Sequence, residues 1–295
     1  MRVLGFGDNI VDRFLDRRIE YPGGNAVNVA VYAHRLGAHA EYLGVFGDDE
    51  LGAFLRASIE DAGIPTPRCV VRGGESGVSS LRVIEGDRVF LGWNGGGVTV
   101  EHPIDLSDGR DAYAATFDVV HTSVYSRTED ELSRLRSLGV LVSFDASSED
   151  EFRDGAYLDR VAPFADLVLF SCSGMADADA FALLDDAVAR GAGLAVATRG
   201  TESALVTDGT VRCLAPAERV ADDALVDTMG CGDAFLAGFL VALHASGWRR
   251  DAPASEAALR SALHAGAASA REQCFVEGAF GRGRPAGDVA PANMW

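Results

Sequence analysis

The sequence contains no lysine. All 26 of its basic residues are arginine, set against 44 acidic residues for a net charge of -18. That absence excludes a Walker A loop, whose lysine holds the nucleotide phosphates, and the strand lysine of a protein kinase. It excludes pyridoxal and Schiff-base chemistry as well, since both need a lysine amine. Any phosphate chemistry in this chain has to rest on arginine, backbone amides, helix dipoles or a metal ion. The negative balance repels phosphate backbones and anionic lipid, so neither nucleic acid nor a membrane surface is an expected partner. Cysteine is scarce too: five residues, odd in number, widely spaced and without a C-x-x-C pair, which points to a reducing cytoplasm. The six histidines show no H-E-x-x-H spacing, and no zinc site is expected. The longest apolar run, 234–243, is too short to span a bilayer, and the opening MRVLGFGDNIVD reads directly as a strand without the features of a leader.

What is present is enough apolar residue, 48% of 295, to bury one large core with an appendage. Residues 2–6 read as a buried strand, 24–36 as a helix ending in Gly37, 41–46 as a second strand and 50–62 as a helix stopped by Gly63-Ile64-Pro65. Over 68–97 the period changes to alternating β-rich runs broken by Gly-Asp and Gly-Gly turns, the pattern of antiparallel hairpins. Apolar strands then recur in FDVVHTS, VLVSFD, DLVLFS and GLAVATRG, with helical segments at 128–138, near Tyr157 and at 177–189 between them. This alternation predicts crossover units on a parallel sheet, a doubly wound α/β fold with a small β-rich lid from about 13–22 and 68–97. A hairpin, 204–207 with 211–214, precedes two helices at 230–246 and 255–272, and the tail 281–295 has no periodicity. The chain is read as one domain over 1–295.

Ligands of such a fold sit beyond the carboxyl ends of the strands. The first strand ends in Gly5-Phe6-Gly7, but Ile10 stands where a dinucleotide fingerprint needs its third glycine. An acidic loop, Gly7-Asp8-Asn9-Ile10-Val11-Asp12, remains, with two carboxylates able to accept from sugar hydroxyls or merely to cap a helix. In Gly23-Gly24-Asn25-Ala26-Val27-Asn28 the glycines permit close backbone approach. Asn25 and Asn28, three apart, place two amides on one helix face; capping accounts for Asn25 but not for Asn28. The strongest signal is Val226-Asp227-Thr228-Met229-Gly230-Cys231-Gly232-Asp233 ahead of the apolar AFLAGFLVALHA. Three small residues there allow a tight turn at a helix N-terminus, where free amides and the macrodipole favour an anion. Asp233 at that helix start is placed to take a proton from a hydroxyl beside the anion.

With these motifs in their order and spacing, from GDNIVD through GGNAVNVAVYAHRLG and VFGDDELG to DTMGCGDAFLAGF, the chain resembles the ribokinase-like (PfkB) carbohydrate kinases over nearly its whole length. Within the family it is most similar to the members that phosphorylate the fructosyl part of glycated lysine. The resemblance implies ATP and Mg²⁺, Asp233 as catalytic base, and an anion hole from the amides of Gly230, Cys231 and Gly232. It implies a sugar held by Asp12, Gly24, Asn25 and Asn28, and a nucleotide loop at Thr198, Arg199 and Gly200. Asp227 matches a loop that in some members carries a monovalent cation, and a homodimer through the lid is a further expectation. An amino-acid arm on the sugar would find Asp8 and Asp16 for its ammonium group and Arg13 or Arg17 for its carboxylate. Two departures stand out. Cys231 replaces the usual alanine between the glycines, and the family's N-x-x-E, associated with magnesium, falls on Ser171-Cys172-Ser173-Gly174. Other acceptors of the same class (a plain ketose, ribose, a nucleoside) and a non-catalytic sugar sensor are the alternative readings.

Overall fold

A computed structural model describes residues 1–84 and 87–287. In chain order the strands are β1 (Arg2–Gly7), β2 (Ile10–Phe14), β3 (Ile19–Gly23), β4 (His39–Gly47), β5 (Val70–Arg72), β6 (Val78–Ile84), β7 (Asp87–Trp93), β8 (Val119–Ser123), β9 (Leu141–Asp145), β10 (Leu167–Ser171), β11 (Leu194–Thr198), β12 (Ala204–Thr207), β13 (Arg212–Ala215) and β14 (Arg284–Pro285). The α-helices are α1 (Asn25–Arg35), α2 (Glu50–Asp61), α3 (Val98–Glu101), α4 (Arg110–Ala114), α5 (Leu132–Ser137), α6 (Gly155–Val161), α7 (Asp177–Ala189), α8 (Cys231–Ala245) and α9 (Glu256–Gln273).

Runs such as LVLF in β10 are apolar at every position because helices cover both faces of their sheet. The strand order is β13-β12-β11-β10-β9-β8-β1-β4-β5, parallel from β11 to β5, with β12 and β13 antiparallel at one edge. One face, with Val3, Leu141, Leu167 and Val196, packs on α1, α2, α8 and α9. The other, with Leu4, Val142, Phe144 and Phe170, packs on α3 to α7. Because the strands run parallel, the carboxyl ends of β1, β8, β9, β10 and β11 lie along one rim of the sheet.

A second, five-stranded sheet, β14-β3-β2-β6-β7, hangs from that rim. The turn after Gly7 starts β2, and β3 runs straight into α1, so both strands are tethered beyond the carboxyl end of β1. Its apolar centre is small, Phe14, Tyr21 and Leu81 with Ile19 and Met229 beside it. A buried ion cluster supplements it: Arg13 pairs with Glu20 at 2.6 Å, and Arg284 reaches the other Glu20 oxygen at 3.1 Å.

Three expectations change. The acidic loop of residues 7–12 is only Asp8 and Asn9; from Ile10 onward it is strand, because Val11 and Phe14 find a buried face in the small sheet. The segment 68–97 divides, since β5 joins the edge of the large sheet beside β4 while β6 and β7 form the hairpin of the small one. The tail begins with order: Arg284 and Pro285 pair with Glu20 and Ile19 as β14. Glu85 and Gly86, part of the Gly-Asp turn expected there, and residues 288–295 of the tail lie outside the described residues.

Candidate active site

Four carboxylates and two amides converge where the rim of the large sheet meets the N-termini of α1 and α8. Asp8, directly after β1, caps α1 from outside the helix: it accepts the N–H groups of Asn25 (2.6 Å) and Ala26 (3.2 Å) and the hydroxyls of Ser123 (2.9 Å) and Ser126 (2.7 Å). Its carboxylate is thereby spent on the scaffold, against the expectation that it would meet a ligand. Asn9 is likewise structural, donating to the Tyr42 hydroxyl and the Val45 carbonyl. Gly24, at φ 114°, lies so close to this turn that a Cβ would stand 2.7 Å from the Asn9 Cα. The glycine lets α1 start against β1 and turns Asn25 and Asn28 inward.

Asp233 occupies the third residue of α8, buried with 8% of its surface exposed. Its Oδ1 accepts from Asn25 Nδ2 (3.0 Å) and its Oδ2 from Asn28 Nδ2 (2.8 Å). The same Asn25 Nδ2 also donates to Asp145 at the end of β9, 3.1 Å away. Burial, first, and then the charge of Asp145 hold the Asp233 carboxyl well above the usual carboxylate range, with Asp8 and Asp12 adding to the effect and the Asn28 hydrogen bond opposing it. Asp145 itself is pushed up to about 7 by burial, opposed by the Ser147 N–H it accepts. Asp12 is buried on β2, its Oδ2 facing Gly23 so closely that a Cβ there would come within 2.6 Å. His121 on β8 is no rival base, since burial pushes its imidazole down to about 3 and leaves it neutral.

Both donors of the two asparagines point at carboxylates, and their acceptors do not share in this: Asn25 Oδ1 and Asn28 Oδ1 are buried without a hydrogen-bond partner among the described residues. A buried acceptor left unpaired costs about 1 to 3 kcal/mol. Two of them side by side beside a carboxylate are a request for hydroxyl donors.

The α8 turn is built as its glycines predict. Gly230 takes φ 75°, and a Cβ on it would run into the Tyr32 hydroxyl and the Ala279 backbone. A Cβ on Gly232 would meet nothing within 4 Å, so the space before this helix end is open. The Cys231 N–H closes the turn on the Thr228 carbonyl at 3.3 Å, whereas Gly232 and Asp233 stand in the first turn, whose N–H groups have no earlier helical carbonyl to serve. The two oxygens of Asp227 each accept one N–H, from Met229 and Gly278, both at 3.0 Å.

Thr198 ends β11 on the same rim, and Gly200 follows at φ 63°. The Arg199 guanidinium between them is buried and fully engaged, with Asp177 at 2.7 Å, Glu202 at 3.5 Å and the carbonyls of Ser203 and Met175. It ties the β10 to α7 loop to the end of β11. Residues 171–174 bring no acidic side chain to the rim, and no group of three or more metal-ligating side chains occurs among the described residues. Arg13 is locked to Glu20 inside the small sheet, while Arg17 lies over Phe14 with its Nη1 3.9 Å from Glu277 and without a hydrogen bond among the described residues.

A raised, buried carboxyl at an open helix N-terminus, flanked by unpaired amide acceptors, suits proton removal from a polyol beside a bound anion. The model of the pfkB family carbohydrate kinases matches residues 16–280. The chain is a PfkB family carbohydrate kinase. It is 35% identical over 286 residues to the fructosamine kinase FrlD of Bacillus subtilis (strain 168), covering 97% of this chain and 95% of that protein. It is 31% identical over 234 residues to the fructoselysine 6-kinase of Escherichia coli (strain K12), covering 79% and 86%. Among solved structures, the aminoimidazole riboside kinase from Salmonella enterica, complexed with aminoimidazole riboside and an ATP analog, superposes with a TM-score of 0.72 over 95% of each chain at 24% identity. The doubly wound parallel sheet read from the sequence is thus the ribokinase-like fold, and the small β-sheet is present with it. As a PfkB kinase the protein transfers a phosphoryl group to an alcohol, with ATP and a divalent cation implied by the family. Sequence reading missed Asp145, although a carboxylate ending a parallel strand was a signal within reach.

Proposed function

We propose that this PfkB kinase transfers the γ-phosphoryl group of ATP to the primary hydroxyl of a fructosamine such as fructoselysine, giving the 6-phosphate. The observation that carries the site assignment is the Asp233–Asn25–Asn28 cluster with its two unpaired amide oxygens. Sugar hydroxyls donate to those oxygens, Gly24 keeps the backbone close, and Asp12 accepts from a further hydroxyl. Asp233 takes the proton of the attacking alcohol late, as the O–P bond forms and the bond to the β-phosphate oxygen breaks. The turn of Gly230, Cys231 and Gly232 and the dipole of α8 meet the charge on the transferring group. Thr198 and Gly200 line the nucleotide loop through their backbone, with Arg199 holding it in shape.

Mg²⁺ would supply charge neutralisation on the phosphates. An ion that takes one or two carboxylates plus substrate phosphates and keeps its waters does not require an N-x-x-E on this rim. A monovalent cation near Asp227 would draw on its carboxylate, whose oxygens each accept a single N–H, and on carbonyl oxygens of the loop. The small sheet acts as a lid, and the exposed Val89 and Phe90 on its edge strand β7, 38% and 62% accessible, suit pairing with a second copy of the chain. Thiols without disulfides suit the cytoplasm.

The fructosamine acceptor is supported by the two relatives of that activity and by Arg17, whose Nη1 ion-pairs with Glu277 at 3.9 Å without a hydrogen bond, so that a ligand carboxylate could compete for it. An ADP-release screen over fructosamines, hexoses, pentoses and nucleosides is the test. A fructosyl-amino acid is expected to give the highest kcat/KM, and Arg17→Ala to raise KM for it but not for fructose. A higher kcat/KM with unmodified fructose or ribose would overturn the acceptor and leave the kinase intact. No ADP release with any sugar would favour the sensor.

A further inference from the structure

The residue that departs from the family pattern inside the α8 turn has a chemical partner. Cys231 sends its side chain away from the open side of the turn, onto α9, where its sulfur lies 3.5 Å from that of Cys274. Both sulfurs also face one carbonyl, that of Ala270, at 3.5 and 3.4 Å. Cys274 caps the end of α9, and its own carbonyl receives the N–H groups of Val226 (2.9 Å) and Asp227 (3.3 Å), the residues that lead into the turn. One cysteine therefore begins the helix that carries Asp233, and the other anchors the segment entering it. From the turn and from α9, these two sulfurs bridge the two supports of the site.

We infer that Cys231 and Cys274 form a reversible disulfide on exposure to a peroxide, and that this bond switches the kinase off. The step balances as two thiols and one hydrogen peroxide giving one disulfide and two waters. The Cys231 sulfur, at the positive end of α8, attacks the peroxide oxygen, breaking the O–O bond and leaving a sulfenic acid. Cys274 then attacks that sulfur, and water departs. A dithiol reductant reverses it by exchange. The other three cysteines differ in kind: burial pushes Cys69 up to about 12 and raises Cys172 and Cys213, which keeps them as inert thiols. Both members of the pair are partly exposed.

Closing the bond draws the sulfurs together by about 1.5 Å, to the disulfide length. The shift falls on the first residue of α8, two positions before Asp233, and a misplacement of about 1 Å at a reacting centre costs on the order of a hundredfold in rate. The inference rests on the assignment of residues 230–233 to phosphoryl transfer, and its chemical part can be read without any sugar.

The test treats the purified reduced protein with hydrogen peroxide and maps its peptides by mass spectrometry, in parallel with turnover on the best acceptor of the screen. The expected result is a linked Cys231–Cys274 peptide, turnover reduced on the order of a hundredfold, and recovery of both with dithiothreitol. Cys274→Ser, or Cys274→Ala should serine disturb the end of α9, keeps its basal turnover and resists the reversible loss. Peptides with both thiols free after peroxide has inactivated the enzyme would overturn the inference, as would a linked protein of full activity or a Cys274 variant as sensitive as the parent. Failure of the site assignment shows itself separately, as an Asp233→Asn variant that still turns over.

Discussion

The two sheets of this kinase are held by different means. In the large sheet most strand side chains are apolar and its central strands are covered by helices on both faces. The small sheet has three fully buried apolar side chains at its centre and depends on Glu20 shared between Arg13 and Arg284, residues far apart in the chain. The first is a platform that sets the position of Asp145 and of the two helix starts. The second is a smaller sheet whose integrity rests more on charge, so it can loosen without the platform melting.

Asp233→Asn probes the chemistry that the platform positions. The amide nearly matches the carboxylate in shape but cannot take the proton, and turnover is expected to fall by at least 10²- to 10⁴-fold with unchanged circular dichroism and melting. Activity within tenfold of the parent would remove Asp233 from the base role.

Next in size come two substitutions that separate the sheets. Phe170→Ala opens a cavity in the large sheet and is expected to cost about 3 to 5 kcal/mol in global denaturation. Glu20→Gln strips the buried guanidinium of Arg13 of its partner. Its cost, about 3 to 5 kcal/mol, is expected as faster hydrogen exchange confined to residues 10–23 and 78–93 and as a raised KM for sugar. Equal global destabilisation by both would show that the sheets unfold as one unit.

The smallest effect sharpens the electrostatics at the seam. Removing the Asp145 charge lowers the proton affinity of Asp233, so Asp145→Asn is expected to move the acid limb of kcat/KM down by roughly one pH unit. Stability responds as well. The Asp145 carboxyl has a higher proton affinity folded than unfolded, so its contribution is present at low pH and is lost as pH rises through about 7. The parent should therefore lose more Tm than Asp145→Asn between acid and neutral pH, and parallel Tm profiles would contradict the raised carboxyl.

The same contrast decided what could be read from the sequence. Strands such as LVSFD and LVLFS announce themselves because burial on both faces writes a continuous apolar run. IVDRF and IEYPG do not, since their Asp, Arg, Glu and Pro are those of a loop until Arg284 arrives to complete the ion cluster. At the site, Asn25, Asn28 and Asp233 were legible because polar side chains on apolar helix starts demand a reason. The occupation of Asp8, Asp227 and Arg199 by scaffold hydrogen bonds was not, because partners lie far along the chain, 17 to 118 residues away for Asp8 and 51 for one oxygen of Asp227. Local sequence does not distinguish a carboxylate kept for a ligand from one spent on amides.

The edge strand β14 lies later in the chain than any other described element, while the strands it completes, β2 and β3, are among the earliest. During synthesis the platform can therefore assemble as it emerges, whereas the small sheet gains its edge strand β14 only once Arg284 leaves the ribosome. If the small sheet is the lid proposed above, a nascent chain would hold its site uncovered throughout that interval.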